Sequence, residues 1–409
     1  MAAKAAAAAD KPPPVDSILL RHLRDSYYLA ITVFVYLYAF PLHQAHLGQP
    51  SVVDIVGSCE GAKCGWFFGT YFQAGERGVL LDGQWRWMAL TVLRNLALCE
   101  VIYGGYHRIL YEGPGKIGVE KSGAKYNPVW PGAAILAHEK LNNRLGWVQM
   151  AVWEIMFVHC WATGRLAYVG SFWGTDAAEL QKLGTTQTAV ILHSILSVAI
   201  IPYWRDWQFY FIHRIMHPLN AKTLLFLPDV GKLLYKHVHS LHHRSYNPGP
   251  WSGLAMHPFE HLMYFACVAP QMFLTLHPLH FLFSILHAAI APLPGHDGLD
   301  SLPAEMQTGA LAGGGGYAHF LHHAHFDLNY GTVKVPFDLL FGSKVNTWPD
   351  DQSGRWKGTA MPLFQIAVPL LLLAGLLVGL GGGHVEVALQ PELVHKFFAA
   401  AANGTAQEL

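Results

Sequence analysis

Long apolar stretches separated by polar, basic segments dominate the chain. A membrane-spanning helix needs about 20 consecutive, mostly apolar residues. Stretches that reach or approach this length lie at about 27–47, 87–110, 146–168, 186–203 and 361–381. A proline-broken apolar region at about 262–292 is long enough for a short hairpin that enters the membrane and returns. The pattern predicts an all-α fold, a polytopic membrane helical bundle with a cytosolic, histidine-rich helical cap.

Charged residues inside two of these stretches limit how the helices can lie in a membrane. Arg94 and Glu100 interrupt the stretch at about 87–110, and Glu154 interrupts the one at about 146–168. A charge in the bilayer core is costly unless it faces protein or a water-filled cavity. We therefore expect these side chains to point away from lipid. The alternative is that 87–110 lies flat on the membrane.

The distribution of basic residues indicates the orientation of the chain. Lys and Arg concentrate at 1–26, 111–145 and 205–244, and the positive-inside rule places such segments in the cytosol. The N-terminus and the histidine-rich segment are therefore predicted to be cytosolic. The loop at 48–86 and the tail after about 382 are predicted to be lumenal.

The same pattern divides the chain into four regions. We expect a disordered lead without a cleavable signal, an N-terminal membrane region, a histidine-rich region, and a C-terminal span with its tail. Their predicted bounds are, in that order, 1–26, 27–185, 186–350 and 351–409.

Composition supports a membrane protein and excludes several other classes. Charged residues make up 13% of the 409 residues, about half of the roughly 25% usual in soluble proteins. Lys+Arg and Asp+Glu both number 27, so no general attraction to nucleic acid follows. Five cysteines are too few to indicate a disulfide scaffold. The unusual number is 25 histidines, of which sixteen lie between His213 and His325.

These histidines repeat with helical spacing in three boxes, HRIMH, HSLHH and HFLHH. The boxes contain His213 and His217; His239, His242 and His243; and His319, His322 and His323. Residues three and four apart share one face of a helix, so each box is predicted to bring its imidazoles to one point. Imidazole is a ligand for Zn, Cu, Fe and Ni, and eight such ligands are too many for one ion. The boxes therefore indicate two metal ions, whereas an isolated histidine such as His193 is more often an ordinary core residue.

The order HxxxH, HxxHH, HxxHH on a membrane chain resembles the fatty acid hydroxylase superfamily over about residues 190–350. The motifs HDG at 296–298, HP at 257–258 and NYG at 329–331 are similar to those of its sterol C-5 desaturases. The chain departs from them at Leu299, where those enzymes tend to carry an acidic residue. The resemblance implies that 186–350 is a fatty acid hydroxylase-like catalytic domain. It also implies His257 and His296 as further metal ligands, with no catalytic side chain beyond the ligands.

The resemblance further implies an O₂-dependent oxidoreductase with two iron ions (Fe²⁺/Fe³⁺). Its expected substrate is a sterol or isoprenoid membrane lipid, which it desaturates or hydroxylates. Alternatives in the same superfamily are an alternative-type squalene epoxidase and a fatty acyl or sphingolipid hydroxylase. The electron donor usual in this superfamily, together with the basic cytosolic segment, indicates cytochrome b5 with its NAD(P)H-dependent reductase. The expected location is the endoplasmic reticulum membrane, with the site on the cytosolic face.

Two functions of other classes, a metal transporter and an inactive scaffold, fit the sequence less well. A polytopic metal transporter would place its histidines within spans near the bilayer midplane, whereas the boxes lie in polar segments outside the apolar stretches. A catalytically inactive lipid-binding scaffold is disfavoured because all three boxes are intact.

Residues around the boxes are candidates for supporting the ligands and for guiding a lipid to them. A ligating imidazole needs its other ring nitrogen held by a carboxylate or carbonyl. Candidates close in sequence are His237, Glu260, His261, Asp297, His325 and Asp327, with Asp206 two helical turns before the first box. Candidates for the wall of an apolar channel are Trp204, Trp207, Phe209, Phe211 and Trp251.

Overall fold

The fold is described from a computed structural model. It covers residues 18–40, 85–162, 166, 186–219, 229–274, 276–299, 315–332, 334–335 and 337–344. This part of the chain is helical and contains no β-strand, only an isolated bridge between Lys125 and Leu299. The predicted lead, the loop at 48–86 and the predicted span at 361–381 lie outside the described residues, apart from 18–26 of the lead and 85–86 of the loop.

The described chain forms α-helices joined by short 3₁₀ and π segments. The α-helices are α1 (Ile18–Ala39), α2 (Trp85–Cys99), α3 (Gly105–Tyr111), α4 (Gly113–Ser122), α5 (Ala133–Ala162), α6 (Gln187–Ile215), α7 (Val230–His237), α8 (Pro258–Phe265), α9 (Pro278–Ile290), α10 (Gly315–His325) and α11 (Phe337–Leu340). A π-helical turn (Glu100–Gly104) joins α2 to α3. The 3₁₀ segments are His239–Arg244, Pro250–Leu254, Ala266–Met272 and Leu293–Gly295.

Within the described residues, three helical segments are long and apolar enough to cross a membrane. They are Met88–Tyr111, Gln187–Ile215 and Pro278–Gly295. The all-α membrane bundle is therefore confirmed. The stretch predicted at 186–203 continues as one helix through Ile215, so α6 carries the first histidine box at its C-terminal end.

Helix α9 is the centre of the bundle, because every one of its residues is buried. It packs against α1, α5 and α6, and its sequence is apolar nearly all round, as expected of a fully enclosed helix. The Phe281 ring lies 4.4 Å from the Phe157 ring and 5.4 Å from the Trp161 ring of α5, centroid to centroid. Burying one such ring contributes about 2–3 kcal/mol.

The proline-broken region forms the predicted hairpin beside α6. On the descending arm, the Gln208 side chain donates to the Met263 carbonyl, and Trp204 Nε1 donates to the Cys267 carbonyl at 2.7 Å. On the returning arm, His280 Nε2 lies 3.0 Å from the Ser194 carbonyl. The first arm thus runs antiparallel to α6 and reaches towards its N-terminal end before α9 returns.

The charged residues within the apolar stretches are paired across α2 and α5. Arg94 and Glu154 form a buried ion pair, and Asn95 also donates to Glu154 at 3.2 Å. Arg94 Nη1 donates to the last carbonyl of α1, that of Ala39, at 2.9 Å. The prediction that Arg94 and Glu154 face protein is confirmed. Glu100 is half-exposed in the π-helical turn and pairs with Arg144 of α5 at 2.6 Å.

Candidate metal centre

The three histidine boxes lie on three different elements. His213 and His217 lie at and just beyond the C-terminal end of α6, the second box forms the 3₁₀ segment His239–Arg244, and the third lies on α10. The predicted helical face of the second box is therefore a tighter 3₁₀ turn. His296 directly follows the 3₁₀ segment Leu293–Gly295 at the end of the hairpin.

Nine histidines converge in two clusters in which the ligand-type nitrogens lie within 4.8 Å of one another. The five-histidine cluster contains His213, His217, His239, His243 and His322. The four-histidine cluster contains His242, His296, His319 and His323. Eight of the nine residues are buried and His319 is partly buried.

The second and third boxes divide between the two clusters, which corrects the expectation that each box serves one point. His239 and His243 enter the five-histidine cluster, whereas His242 between them enters the four-histidine cluster. The third box does the reverse, since only His322 joins the five-histidine cluster. The clusters are neighbours, with the His243 and His323 ring centroids 4.9 Å apart.

Hydrogen bonds at Nδ1 fix which nitrogen of several imidazoles carries the proton. Carbonyl oxygens only accept, so His213 Nδ1 must donate to the Tyr330 carbonyl at 2.5 Å, and His322 Nδ1 to the Leu328 carbonyl at 2.6 Å. His239 Nδ1 donates to Glu260 Oε1 at 2.7 Å. In the neutral form of each of these rings, the Nε2 atom is therefore an unprotonated acceptor.

These acceptor atoms point at one another in the five-histidine cluster. His213 Nε2 lies 3.1 Å from His239 Nε2, although neither has a proton to share. His322 Nε2 is buried and makes no hydrogen bond with any group that the structure describes. Converging lone pairs without protons repel one another, and a cation among them removes that repulsion. The donor set therefore fits a metal ion that accepts imidazole ligands.

In the four-histidine cluster, His296 is likewise held by a backbone carbonyl at Nδ1. His296 Nδ1 donates to the Pro292 carbonyl at 2.8 Å, which leaves its Nε2 as an acceptor. That Nε2 lies 2.8 Å from His319 Nε2 and 3.3 Å from His242 Nε2. His323 Nε2 lies 3.2 Å from His319 Nε2 and completes the group.

Burial favours the neutral form of most of the clustered imidazoles, the form that binds metal. Desolvation lowers the pKa of His296 to about 4 and that of His322 to about 3. Desolvation and then neighbouring histidines hold the pKa of His217 and His242 well below the usual range. A ligating histidine must be deprotonated, so both clusters are prepared for metal over the physiological pH range.

The structure does not bring His257 to either cluster. His257 is partly exposed just before α8, where its Nδ1 accepts from the Phe259 backbone N–H at 3.1 Å. The HP pair is thus a helix N-cap followed by a proline at N1, a common start for a helix. The interpretation of His257 as a ligand is corrected by this placement.

Of the predicted supporting carboxylates, Glu260 makes the expected contact. It lies on α8, is buried, and accepts from His239 Nδ1. Asp297 instead accepts from the Leu299 N–H at 3.1 Å and the Tyr106 hydroxyl at 3.2 Å. Asp206 pairs with Arg205 at 2.9 Å and accepts from the Thr332 hydroxyl at 2.5 Å.

The remaining candidates around the boxes lie elsewhere. His261 Nε2 donates to the Leu254 carbonyl at 2.9 Å. His237 and Asp327 are exposed, and His325 is partly buried at the last residue of α10. The groups that sequence reasoning missed are the backbone carbonyls of Pro292, Leu328 and Tyr330, because a carbonyl leaves no residue-type signal. Only the NYG motif marked part of this backbone.

The aromatic candidates lie in different places. Phe209 stacks on the His213 ring, with centroids 4.9 Å apart and an interplanar angle of 27°, so it borders the five-histidine cluster. Trp251 lines a cleft of about 450 Å³ together with Glu100, Lys140 and Arg144. Trp207 packs against Phe337 of α11 at 5.9 Å.

Comparisons with known proteins match the region that carries the clusters. Residues 198–343 match the family model described as fatty acid hydroxylase. No solved structure is significantly similar to the chain.

Curated relatives with significant similarity include sterol and sphingolipid enzymes. Lathosterol oxidase of Rattus norvegicus is 30% identical over 37% of this chain and 46% of its own length. Sphinganine C4-monooxygenase 1 of Arabidopsis thaliana is 30% identical over 43% of this chain and 61% of its own length. A Delta(7)-sterol 5(6)-desaturase of Gibberella zeae is 27% identical over 37% and 40%. The chain thus spans about two fifths to three fifths of the length of these relatives.

The family match and the relatives agree with the histidine pattern and its placement on a helical membrane bundle. The resemblance to the fatty acid hydroxylase superfamily that was drawn from the three boxes is therefore confirmed over residues 198–343.

Proposed function

We propose that the chain is an O₂-dependent membrane lipid oxygenase whose nine clustered histidines bind two iron ions. The observation that carries this proposal is the convergence of nine buried or partly buried imidazoles, four of which have Nδ1 already bonded and Nε2 turned towards the other rings. Bound iron would supply the activation of O₂ needed to attack an unactivated C–H bond, which no side chain can do. The protein holds the ligands, keeps them neutral and excludes water.

The proposed ligands are the eight boxed histidines with His296, and His257 is left out of the set. Nine ligands in groups of five and four suit two ions better than one, because a single ion takes at most about six such ligands. Glu260 and the carbonyls of Pro292, Leu328 and Tyr330 orient the rings. Iron is proposed over zinc because the relatives are named as oxidases, desaturases and monooxygenases.

The proposed substrate is a sterol or isoprenoid lipid. Several relatives are sterol 5(6)-desaturases or a lathosterol oxidase, and the HDG and NYG motifs point to the same group. The second candidate is a sphingoid base, because two relatives of similar identity are sphinganine C4-monooxygenases. The choice among desaturation, hydroxylation and epoxidation depends on where the lipid chain or ring lies relative to the clusters.

A metal transporter is disfavoured by the position of the clusters. Transporter ligands lie near the middle of spanning or broken helices, whereas His213 lies two residues before the end of α6 and His217 lies beyond it. His296 likewise follows the end of the span Pro278–Gly295. The clusters are therefore at one end of the spanning helices, as a membrane-surface enzyme requires.

The electron donor is proposed to be cytochrome b5 with its NAD(P)H-dependent reductase, acting on the cytosolic face of the endoplasmic reticulum. Helix α7 ends beside the second box and presents exposed Lys232 and Lys236. Exposed lysines near the site suit an acidic partner, since complementary charge steers protein encounter.

The proposal is tested with the purified protein, ferrous iron, O₂ and a cytochrome b5 reducing system in lipid nanodiscs. A Δ7-sterol, squalene and sphinganine are supplied separately, and products are identified by mass spectrometry. We expect two irons per chain and conversion of the sterol. His242→Ala should abolish conversion, whereas His257→Ala, which changes a helix cap, should retain at least about a tenth of it, since such a cap is worth about 1 kcal/mol.

Each result separates one part of the proposal. Protein without iron, or full activity in His242→Ala, would refute the metal centre. Conversion of sphinganine with the sterol untouched would replace the sterol by a sphingoid base. Conversion of squalene alone would establish an epoxidase.

A further inference from the structure

We propose that the turn at 328–330 positions two ligands of the five-histidine cluster, and that Asp338 is the residue that holds this turn in place. We call the carbonyls of Leu328 and Tyr330 the carbonyl clamp. The inference rests on the proposed function only in that the five-histidine cluster binds metal. It assigns a positioning role to a carboxylate whose hydrogen bonds go to Tyr330, Gly331 and Ser343 and not to a ligand ring.

The carbonyl clamp orients imidazoles from two different boxes. His322, on α10, donates from Nδ1 to the Leu328 carbonyl at 2.6 Å. His213, on α6, donates from Nδ1 to the Tyr330 carbonyl at 2.5 Å. The two rings lie 4.4 Å apart, centroid to centroid. One short piece of backbone therefore sets the tautomer and the direction of two ligands that come from separate helices.

The residue between the two carbonyls has an uncommon conformation. Asn329 has a φ of 52°, in the left-handed region that asparagine adopts more readily than most residues. Its side-chain amide donates to the Ala318 carbonyl of α10 at 3.0 Å, and its backbone N–H donates to the Ser343 carbonyl at 3.0 Å. The turn is thus tied to the helix of the third box on one side and to 343 on the other.

Asp338, on α11, accepts hydrogen bonds from the backbone of this turn. Its Oδ1 accepts from the Tyr330 N–H at 2.9 Å and from the Ser343 hydroxyl at 2.6 Å. Its Oδ2 accepts from the Gly331 N–H at 2.6 Å. The carboxylate is buried, so it is screened little by water. The Gly331 N–H and the Tyr330 carbonyl belong to the same peptide plane. A carboxylate that accepts from this N–H and from the Tyr330 N–H therefore also fixes the direction of the Tyr330 carbonyl.

This geometry predicts an effect on one metal site only. His213 and His322 both belong to the five-histidine cluster, and the Nδ1 partner in the four-histidine cluster is the Pro292 carbonyl on a different element. A residue that merely stabilised the fold would affect both clusters alike. Loosening the carbonyl clamp should weaken metal binding in the five-histidine cluster and spare the other.

Asp338→Asn is the first test. Asparagine has nearly the same shape, keeps one acceptor oxygen, and turns its NH₂ towards the Gly331 N–H, so the turn loses one bond and gains a donor–donor contact. The variant and wild-type protein are loaded with ⁵⁷Fe²⁺ and examined by Mössbauer spectroscopy and by release to a ferrous chelator. We expect about 10- to 100-fold faster release from one site, the range for altered support of a ligand, with one of two iron signals changed.

Asn329→Asp is the second test, in case Asp338→Asn does not fold. Aspartate also tolerates the left-handed region, but its carboxylate would face the Ala318 carbonyl instead of donating to it. The same selective loss is expected. Glu120→Gln, an exposed change on α4 that also removes one negative charge, serves as the control and should release both irons as wild type does.

The outcomes distinguish this inference from the proposed function. Equal release of both irons in wild type and in both variants would overturn the carbonyl clamp and leave the metal centre intact. Loss of both irons together in folded Asn329→Asp would also overturn it, because the turn would then act on the whole fold. Wild-type protein that binds no iron would overturn the proposed function itself.

Discussion

Single hydrogen-bond acceptors decide which nitrogen of several imidazoles faces the clusters. In the five-histidine cluster one carboxylate, Glu260, and two backbone carbonyls fix three rings with Nε2 inwards. A carboxylate at Nδ1 also raises the basicity of the ligating nitrogen, which a neutral carbonyl does less strongly. His239 is therefore expected to bind a metal ion most strongly of these three rings.

Glu260→Gln isolates that charge. Glutamine retains an oxygen that can accept from His239 Nδ1, so the ring keeps its orientation and loses only the negative partner. We expect metal affinity of the five-histidine cluster to fall about 10-fold, the lower end of the usual range for such support. Competition with a calibrated Zn²⁺ chelator measures this. Glu260→Ala, which removes the bond as well, should cost more, and equal affinity in both variants would contradict the argument.

At the scale of elements, two ion pairs join the segment 85–104 to α5 in different surroundings. Arg94 and Glu154 are buried with side-chain exposures of 6% and 0%, whereas Arg144 and Glu100 are 43% and 50% exposed. Breaking a buried pair leaves an uncompensated charge and costs about 3–5 kcal/mol, whereas an exposed pair contributes about 0–1 kcal/mol. The two pairs therefore form a matched comparison within one helix–helix contact.

We expect Arg94→Met to lower the free energy of unfolding by about 3 kcal/mol or more, because Glu154 is left buried without a cation. Arg144→Met should lower it by less than about 1 kcal/mol. The double variant Arg94→Met/Glu154→Leu should recover most of the loss. Unfolding in mixed detergent micelles, followed by circular dichroism, gives these values, and equal losses at the two arginines would show that the burial does not matter.

The elements also show what the sequence could reveal. Spacing singled out the eight boxed histidines because residues three and four apart lie close together in both α-helical and 3₁₀ turns. It could not show that the second and third boxes divide between two clusters, since that depends on how α6, α10 and the hairpin meet. The HP motif suggested a metal ligand, but a histidine before proline can also cap a helix, as His257 does. The HDG histidine, His296, does lie in a cluster.

In the molecule as a whole, the hairpin begins and ends at the same end of the helical bundle. Its descending arm begins at Glu260, which contacts His239, and its returning arm ends at His296 in the four-histidine cluster. Both ends therefore lie at the histidine clusters, although the tip approaches Ser194 near the far end of α6. All three histidine boxes must accordingly lie on one side of the membrane, whichever side that is.

The basic residues predict that this side is the cytosol. Lys236→Cys on α7 and Glu120→Cys on α4, both exposed positions, are placed singly in a chain without other cysteines. We expect both to react with an impermeant maleimide added to sealed microsomes, whose outer face is cytosolic, because Lys- and Arg-rich segments stay on that side. A cysteine at 48–86 should react only after the membrane is opened.

Each labelling pattern has a distinct meaning for the mechanism. If Lys236→Cys reacts only in opened vesicles, the clusters face the lumen and a cytosolic cytochrome b5 cannot reduce them. If Glu120→Cys and Lys236→Cys lie on opposite sides, the chain crosses an odd number of times between them, contrary to the two crossings predicted at 146–168 and 186–203. Reaction of both from outside leaves the exposed lysines of α7 where a soluble electron donor can reach them, which is the arrangement that the proposed function requires.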